Sequence, residues 1–318
     1  MLNKSRVAVL LSLYNGERYL PELLSSLTLQ RDIEIFLYVR DDGSTADSLN
    51  IMKKSLAQYG DFTWLPSEAG NIGPALSYHN LLQFAVQDGR ADYFAFCDQD
   101  DIWSPEKLLR ATSLLRAQAE NKSIMYFSGV NLFASSVESA RKLSSRKFSV
   151  GFRNALVENL AIGATIVLNK NAASNLSSEK VCTSVGHDAW YYLVVSYIGI
   201  TVYDENSEIF YRRHNENHTN FSKGSFTKIR IYRFLKTRNL HFFNQALCLR
   251  NTSFYSMGSV ENREILDKHI ASLQGNVFPR SLFILKGGMR RSSHLDSIFL
   301  AMLSLSNRKK YLSDSSDL

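Results

Sequence analysis

The stretch YFAFCDQDD, residues 93–101, joins an apolar run of strand length to three carboxylates within four residues. Similar apolar runs stand at Val7–Leu13, Ile33–Val39 and Ile124–Val130, and helical patterns separate them. Strands that alternate with helices predict a mostly parallel sheet with helices on both faces. Ligands bind at the carboxyl ends of the strands in such sheets, so the acidic end of this stretch is predicted to face a ligand.

The predicted helices and later strands complete an α/β architecture. Apolar spacing predicts helices around Leu20–Leu27, Leu49–Leu56 and Leu76–Val86, and Pro105 is expected to open a fourth. Further on we expect strands at Phe148–Phe152, Gly163–Leu168 and Glu208–Arg213, and a helix at Asp188–Ile198. These patterns predict one domain over residues 1–222, with halves 1–130 and 131–222, and a helical basic region over 223–318.

Composition excludes several classes of protein. The chain has 318 residues, 45% of them hydrophobic, which excludes extended disorder. Its three cysteines form no CxxC pair, which disfavours a disulfide framework or a zinc site and favours a reducing cytoplasm. The apolar run Val7–Leu13 is short and has no small-residue cleavage site, so it is interpreted as a strand rather than a signal peptide. The run Ala189–Tyr203 is too short to span a membrane.

Charge is distributed unevenly along the chain. Residues 1–222 hold 21 Lys and Arg against 24 Asp and Glu, whereas residues 223–318 hold 16 against 6. The basic region is either a helical cap with a solvated face or a peripheral contact with anionic lipid. Arg, Lys and aromatic residues alternate in Ile229–Lys236, which suits an interfacial helix. Nucleic-acid binding is not expected, because no known binding module is present and the first 222 residues are acidic.

The acidic loop Asp98–Asp101 has two interpretations. Carboxylates this close oppose one another's ionisation unless a cation is present, and Mg²⁺ or Mn²⁺ would bind one or two of them together with substrate phosphates. Alternatively the loop is solvated and caps the following helix, since Asp is favoured at helix N-termini.

Two further loops are predicted to converge on the same sheet edge, namely Ser12–Gly16 after the first strand and Asp41–Thr45 after the second. Asp41 and Asp42 begin the sequence DDGST, which is either a plain strand-to-helix turn or a contact for a nucleotide base or ribose. Asn71-Ile72-Gly73 stands at a loop-to-helix junction, where a phosphate could bind the helix N-terminus, although such turns are common.

Two later positions could carry chemistry. Asp188 begins an apolar helix and is either an N-cap or a general base that deprotonates a sugar hydroxyl. His214 follows Arg212 and Arg213, so it is either structural or part of a metal or diphosphate site, where the planar guanidinium of Arg suits phosphate.

Seven segments, taken together and in order, resemble those of family 2 glycosyltransferases of the GT-A fold. They are VAVLLSLYNGERYL, VRDDGSTAD, NIGPALSYHN, FCDQDDIWSPEKL, AIGATIVLNKN, VGHDAW and YRRHNEN, and they cover about residues 6–220. The combination is specific, although each segment alone is not. Within the family, CDQDDIWSPEK with GHDAW and YRRHNEN is most similar to bacterial rhamnosyltransferases of surface-polysaccharide assembly.

The resemblance implies a GT-A sheet and roles for individual residues. Asp100 in the DxD motif would be the direct ligand of Mg²⁺ or Mn²⁺, with His214 as a further metal or diphosphate contact. Asp188 would be the catalytic base of an inverting enzyme. The residues implied to line the nucleotide and donor site are Ser12, Tyr14, Asn15, Glu17, Asp41, Asp42, Asn71, Gly73, Asn80, Asp98, Gln99 and Arg212.

The sequence departs from the family pattern at two positions. The family often carries Ala-Arg-Asn where this chain has Tyr78-His79-Asn80, so a phosphate-binding Arg is missing and Arg212 or Arg213 would compensate. The base motif is often Glu-Asp, whereas here it is His187-Asp188, which weakens any role for a second carboxylate.

The resemblance implies a metal-dependent inverting transferase that is cytoplasmic, or peripheral on the cytoplasmic face of the membrane. Its donor would be dTDP-rhamnose and its acceptor an oligosaccharide or a lipid-linked glycan. Two alternatives stay open, namely a UDP-hexose donor and a non-catalytic sugar-nucleotide-binding assembly partner.

Overall fold

The computed structural model describes most of the chain. The described residues are 4–65, 70–134, 136–143, 150–213, 240–274, 281–284, 288–291, 297–298 and 301–302. His214 and the stretch Ile229–Lys236 lie outside them.

A mostly parallel sheet of seven strands forms the centre, in the order β10-β6-β9-β4-β1-β2-β3. Its strands are β1 (Ser5–Leu13), β2 (Ile33–Asp41), β3 (Thr63–Trp64), β4 (Tyr93–Cys97), β6 (Ile124–Ser128), β9 (Val167–Asn169) and β10 (Ile200–Asp204). Strand β9 alone runs antiparallel, to both β4 and β6. A second sheet, ordered β5-β11-β7-β8, contains β5 (Ile102–Trp103), β7 (Asn131–Phe133), β8 (Arg141–Lys142) and β11 (Ile209–Arg212).

Helices cover both faces of the large sheet, as predicted. They are α1 (Leu20–Thr28), α2 (Ala46–Tyr59), α3 (Pro74–Asp88), α4 (Lys107–Arg116), α5 (Phe152–Ala155), α6 (Lys170–Ser177) and α7 (His187–Ile198). Side chains alternate along each strand, so Val9 and Leu11 of β1 pack in one hydrophobic cluster and Ala8 and Leu10 in the other. The sandwich of helix, sheet and helix is the GT-A architecture that the sequence predicts.

Three local predictions were wrong. Residue Phe152, expected in a strand, begins the short helix α5. Residues 163–165 form a 3-10 turn, and the strand predicted there begins at Val167. Helix α4 begins at Lys107 rather than at Pro105, because the Lys107 N–H closes a turn onto the Ser104 carbonyl at 3.1 Å.

The described part of the basic region packs against the domain. Helices Leu240–Arg250, Phe254–Met257 and Val260–Gln274 place Ala246, Phe254 and Leu266 in the same hydrophobic cluster as Tyr192 of α7. This part of the region therefore completes a core face. None of the helices in the described residues has the length and apolarity needed to cross a bilayer.

Candidate active site

The register of the parallel strands brings the three polar loops together. Leu13 at the end of β1 pairs with Asp41 of β2, and Leu11 pairs with Cys97 of β4. The residues that follow these positions therefore lie side by side at one sheet edge. The convergence predicted from the alternation of strands and helices is present in the structure.

The acidic loop does not cap the next helix. Glu106 occupies the N-cap position of α4, without a side-chain hydrogen bond. Asp101, which was expected to cap, is instead buried and accepts a 3.2 Å hydrogen bond from the Arg212 N–H. Asp98 accepts a 2.7 Å hydrogen bond from the Tyr78 hydroxyl. The helix-cap interpretation of Asp98–Asp101 is therefore wrong, and its carboxylates need another explanation.

Crowding raises the proton affinity of Asp98. Burial, followed by the charge of Asp100 and a smaller effect of Asp188, raises its pKa to about 6, and the hydrogen bond from Tyr78 opposes the rise. A site in which carboxylates disfavour one another's ionisation is suited to a cation. The influence of Asp188 also shows that α7 contributes a third carboxylate to this neighbourhood.

We expect Asp98→Asn to raise the melting temperature of the metal-free protein at pH 7.5. The folded pKa of Asp98, about 6, lies above the ordinary value of 3.8, so its stabilising contribution is present below pH 3.8 and is lost as pH rises through 6. Thermal melts in EDTA at pH 5 and 7.5 measure the effect, with exposed Asp61→Asn as the control. A lower melting temperature for Asp98→Asn at pH 7.5 would contradict this assignment.

Gln99 joins the acidic loop to the loop after β1. Its side-chain amide accepts from the Tyr14 N–H at 2.9 Å and donates to the Tyr14 carbonyl at 2.9 Å. Gly16 leaves room for this contact, since a Cβ there would lie 2.1 Å from the Gln99 Oε1. The contact holds the Tyr14 backbone while its side chain stays 50% exposed.

A second set of contacts joins the β1 and β2 loops. Asn15 has a φ of 47°, its N–H donates to the Ser44 hydroxyl at 2.9 Å, and its Oδ1 accepts from the Thr45 N–H at 2.9 Å. Glu17 accepts a hydrogen bond from the Ser48 hydroxyl. Thr45 caps α2, and its side-chain oxygen accepts from the Ser48 N–H at 3.3 Å.

Asp42 stands at the centre of a buried network. The Arg40 guanidinium, 2% exposed, donates to its Oδ1 at 2.6 Å. The same carboxylate accepts from the N–H groups of Ile72 at 2.9 Å and Gly73 at 3.0 Å. Asp42 therefore fixes the start of α3 against the end of β2.

The remaining donor-site candidates, which include Ser12 and Asp41, differ from one another in their contacts and exposure. Ser12 and Ser77 share a 2.6 Å hydroxyl contact, and Asp41 accepts from the N–H groups of its own turn. Asn71 is exposed and accepts from the Gly73 N–H. Asn80 is exposed two residues beyond buried Tyr78, which places it on the opposite face of α3 and apart from the other candidates.

Arg212 is engaged within the protein. Its guanidinium packs 4.7 Å from the Tyr19 ring centroid and 4.5 Å from that of Phe133, while Nε donates to the Asp100 carbonyl at 3.0 Å. An ion pair with Glu22 completes its contacts. Arg212 therefore connects the second sheet and α1 to the backbone of the DxD motif.

Helix α7 presents Asp188 to the acidic loop. Gly186 is the N-cap residue, so Asp188 lies in the first turn rather than at the cap. The buried ring of His187 stacks on Tyr78 with centroids 4.4 Å apart, and burial lowers the pKa of His187. Because Tyr78 also donates to Asp98, it connects the acidic loop to the start of α7. Sequence reasoning noted Tyr78 only as a departure from the family, and it did not identify this contact.

The acidic loop suits a divalent ion that is shared with a diphosphate. Within the described residues, no group of three or more His, Cys, Asp or Glu side chains could hold a metal ion. Among the described residues, Asp98 and Asp100 are therefore not part of a metal site built from protein side chains alone. Mg²⁺ is commonly held by one or two carboxylates plus substrate phosphates, and this donor set fits that arrangement.

Comparison with known proteins agrees with the fold. Residues 8–164 match the family model described as glycosyl transferase family 2. The dTDP-rhamnosyl transferase RfbG of Shigella flexneri is 28% identical over 225 residues, 64% of this chain and 71% of that protein. The chain spans about a third of the length of glycosyltransferases from Rickettsia felis and Rickettsia prowazekii that it also matches.

Solved structures share the architecture at low sequence identity. Staphylococcus aureus TarS 1-349, in complex with UDP-GlcNAc, aligns with a TM-score of 0.57 and 16% identity over 93% of this chain and 79% of that one. The mannosyltransferase PcManGT of Pyrobaculum calidifontis, in complex with GDP-Man and Mn²⁺, aligns with a TM-score of 0.55 and 14% identity over 97% of this chain and 82% of that one. With its parallel sheet, converging acidic loops and family match, this chain contains a family 2 glycosyltransferase domain, matched over residues 8–164.

Proposed function

We propose that this chain is an inverting, metal-dependent glycosyltransferase that moves rhamnose from dTDP-rhamnose to a glycan or lipid-linked acceptor in the assembly of a bacterial surface polysaccharide. The observation that supports this most is the approach of Asp188 to the acidic loop, where a donor diphosphate and an acceptor hydroxyl would meet. A transferase must align two substrates, so this juxtaposition is the geometry that the reaction needs.

Asp100 would hold Mg²⁺ or Mn²⁺ with support from Asp98 and, from outside the described residues, His214. The bound ion would neutralise the charge that develops on the leaving nucleoside diphosphate. Asp100 is held for this role by Arg212, which fixes its backbone carbonyl. Asp98 is oriented by the Tyr78 hydroxyl.

Asp188 would take the proton from the acceptor hydroxyl as that oxygen attacks the anomeric carbon from the face opposite the diphosphate. The C–O bond to the acceptor forms as the bond to the diphosphate oxygen breaks, and configuration inverts in a single displacement. No covalent sugar–enzyme intermediate is required. The carboxylate stands in the first turn of α7.

Donor identity is proposed from the relatives. RfbG is named as a dTDP-rhamnosyl transferase, and its match extends over 71% of its own length, compared with 34% for the relative from Rickettsia felis. TarS and PcManGT are solved with UDP-GlcNAc and GDP-Man, so their likeness supports a nucleotide-sugar donor in general. The half-exposed ring of Tyr14 and the loops around Asp41 and Asn71 are the proposed nucleotide contacts.

Thermal-shift measurements would test the donor. We expect dTDP-rhamnose with Mn²⁺ to raise the melting temperature more than UDP-hexoses do, because a ligand that binds the folded state stabilises it according to its affinity and concentration. Addition of EDTA should remove most of the shift. A larger shift with a UDP-hexose would favour the alternative donor, and no shift with any sugar nucleotide would contradict the proposal.

A non-catalytic binding partner would bind the donor without turning it over. Metal-dependent release of the nucleoside diphosphate from the preferred donor separates the two functions. Retention of Asp98, Asp100 and Asp188 in one neighbourhood favours the enzyme.

The basic region would also place the protein on a membrane. Its excess of Lys and Arg over residues 223–318 would be attracted to an anionic leaflet, where a lipid-linked acceptor is found.

A further inference from the structure

The Asp188 carboxylate is held by hydrogen bonds from two directions. Its Oδ1 accepts from the Ala189 N–H of its own helix at 2.7 Å. Its Oδ2 accepts from the side-chain amide Nδ2 of Asn159 at 2.9 Å. Each carboxylate oxygen can accept more than one hydrogen bond, so both retain capacity for a substrate hydroxyl.

The Asn159 amide is itself fixed in one orientation. Its Oδ1 accepts from the Ala161 N–H at 3.1 Å, which turns the NH₂ group towards Asp188. An amide NH₂ only donates, so it matches a carboxylate oxygen that accepts. Asn159 therefore fixes an orientation of the carboxylate that suits a general base.

Gly186 leaves room for the same carboxylate because it has no side chain. A Cβ at this position would lie 2.5 Å from the Asp188 Oδ1, a distance that would force the carboxylate to move. The backbone of Gly186 has φ −64° and ψ 153°, which any residue adopts. The need for glycine here arises from the position of the carboxylate and not from backbone strain.

Other ionisable groups face the carboxylate as well. His187 precedes it on α7, and Asp98 approaches it from the acidic loop. Asp98 opposes the negative charge of Asp188, whereas the amide of Asn159 supports it. Loss of the hydrogen bond from Asn159 should therefore affect how the Asp188 carboxylate is held.

We infer that Asn159 is a positioning residue. It holds the Asp188 carboxylate, in space that Gly186 leaves open, in the orientation needed to take the proton from the hydroxyl of the sugar acceptor. The inference rests on the proposed role of Asp188 as the base. Asn159 contacts no substrate in this account and acts through Asp188.

The first test is Asn159→Asp in the full chain. This change keeps the size and an acceptor for the Ala161 N–H, but it replaces the donor to Asp188 with a second carboxylate. We expect kcat to fall by about 10- to 100-fold with donor KM unchanged. The acid limb of the pH–kcat profile should move to higher pH by about one unit, because a neighbouring like charge favours protonation. A purely structural role would not move that limb.

Asn169→Asp is the matched control, since it also loses one amide hydrogen bond, from Nδ2 to the Lys122 carbonyl at 2.8 Å, and keeps its contact to the Ala172 N–H. It should leave the pH–kcat profile unchanged. Gly186→Ala approaches Asp188 from the other side and should lower kcat by about tenfold without a change in melting temperature. The results expected for Asn169→Asp and Gly186→Ala do not depend on the loop that contains Asn159.

The outcomes separate this inference from the proposed function. If Asp188→Asn is inactive while Asn159→Asp and Gly186→Ala keep the wild-type kcat and pH profile, the positioning inference is overturned and the base remains. If Asp188→Asn retains turnover, the proposed base is wrong and the inference falls with it.

Discussion

Asp188→Asn is expected to lower the rate of sugar transfer by about 10²- to 10⁴-fold, the range that general-base catalysis contributes. Asparagine keeps the size of the side chain and an oxygen that can accept the Ala189 N–H, but it cannot remove a proton. Donor binding is expected to persist, because the proposed nucleotide and metal contacts around Tyr14, Asp41, Asn71 and Asp100 lie on the loops after β1, β2, β3 and β4. The measurement pairs the initial rate of transfer with the affinity of the donor nucleotide by calorimetry.

Glu158→Gln is a suitable comparison for this variant. Glu158 is a partly buried carboxylate that accepts from the Asn154 amide at 2.9 Å and pairs with Arg291 at 3.7 Å. Its replacement should leave transfer within about twofold of the wild type, as for an interaction outside the chemistry. A rate for Asp188→Asn that matches this comparison would exclude Asp188 as the base.

Asp42→Ala is expected to destabilise the folded protein by about 3–5 kcal/mol, the cost of removing one partner from a buried ion pair. The Arg40 guanidinium would lose its carboxylate while its side chain is 2% exposed. The N–H groups of Ile72 and Gly73 would lose their acceptor as well. Urea unfolding followed by far-UV circular dichroism measures the change in the free energy of unfolding.

The double variant Arg40→Met with Asp42→Ala supplies the internal control. It removes the buried cation together with the anion, so it should be less destabilised than Asp42→Ala alone. A loss below about 1 kcal/mol in the single variant, which is typical of an exposed ion pair, would show that this pair is not buried in solution.

The strands and helices with strong periodicity could be predicted from sequence. Strands β1, β2 and β4 lie where their apolar runs predict, since buried parallel strands are continuously apolar. The error at Phe152 arose because a short apolar run does not distinguish a strand from a buried helical turn. In the second sheet β11 lies where a strand was predicted, whereas β5, β7 and β8 are two or three residues long and depend on their partners rather than on a local pattern.

The neighbourhood of the site could be predicted, whereas its internal contacts could not. Position at a strand's carboxyl end identified the polar loops, and parallel register then forced them together. Which polar group bonds to which is a property of the folded chain. The Gln99 contact spans 85 residues, and the Asn159 contact spans 29 and carries no local signal. The roles assigned to individual donor-site residues therefore remain predictions.

Strand β9 has a consequence for the order in which this protein can assemble. It lies between β4 and β6 and pairs antiparallel with both. Strands β4 and β6 are therefore not joined in one sheet until residues 167–169 have paired with them. A chain ended near residue 130 would expose the open edges of β4 and β6, and such edges invite aggregation. The two halves of the domain therefore share one sheet, which is complete only when the segment that leads to Asp188 has paired with β4 and β6.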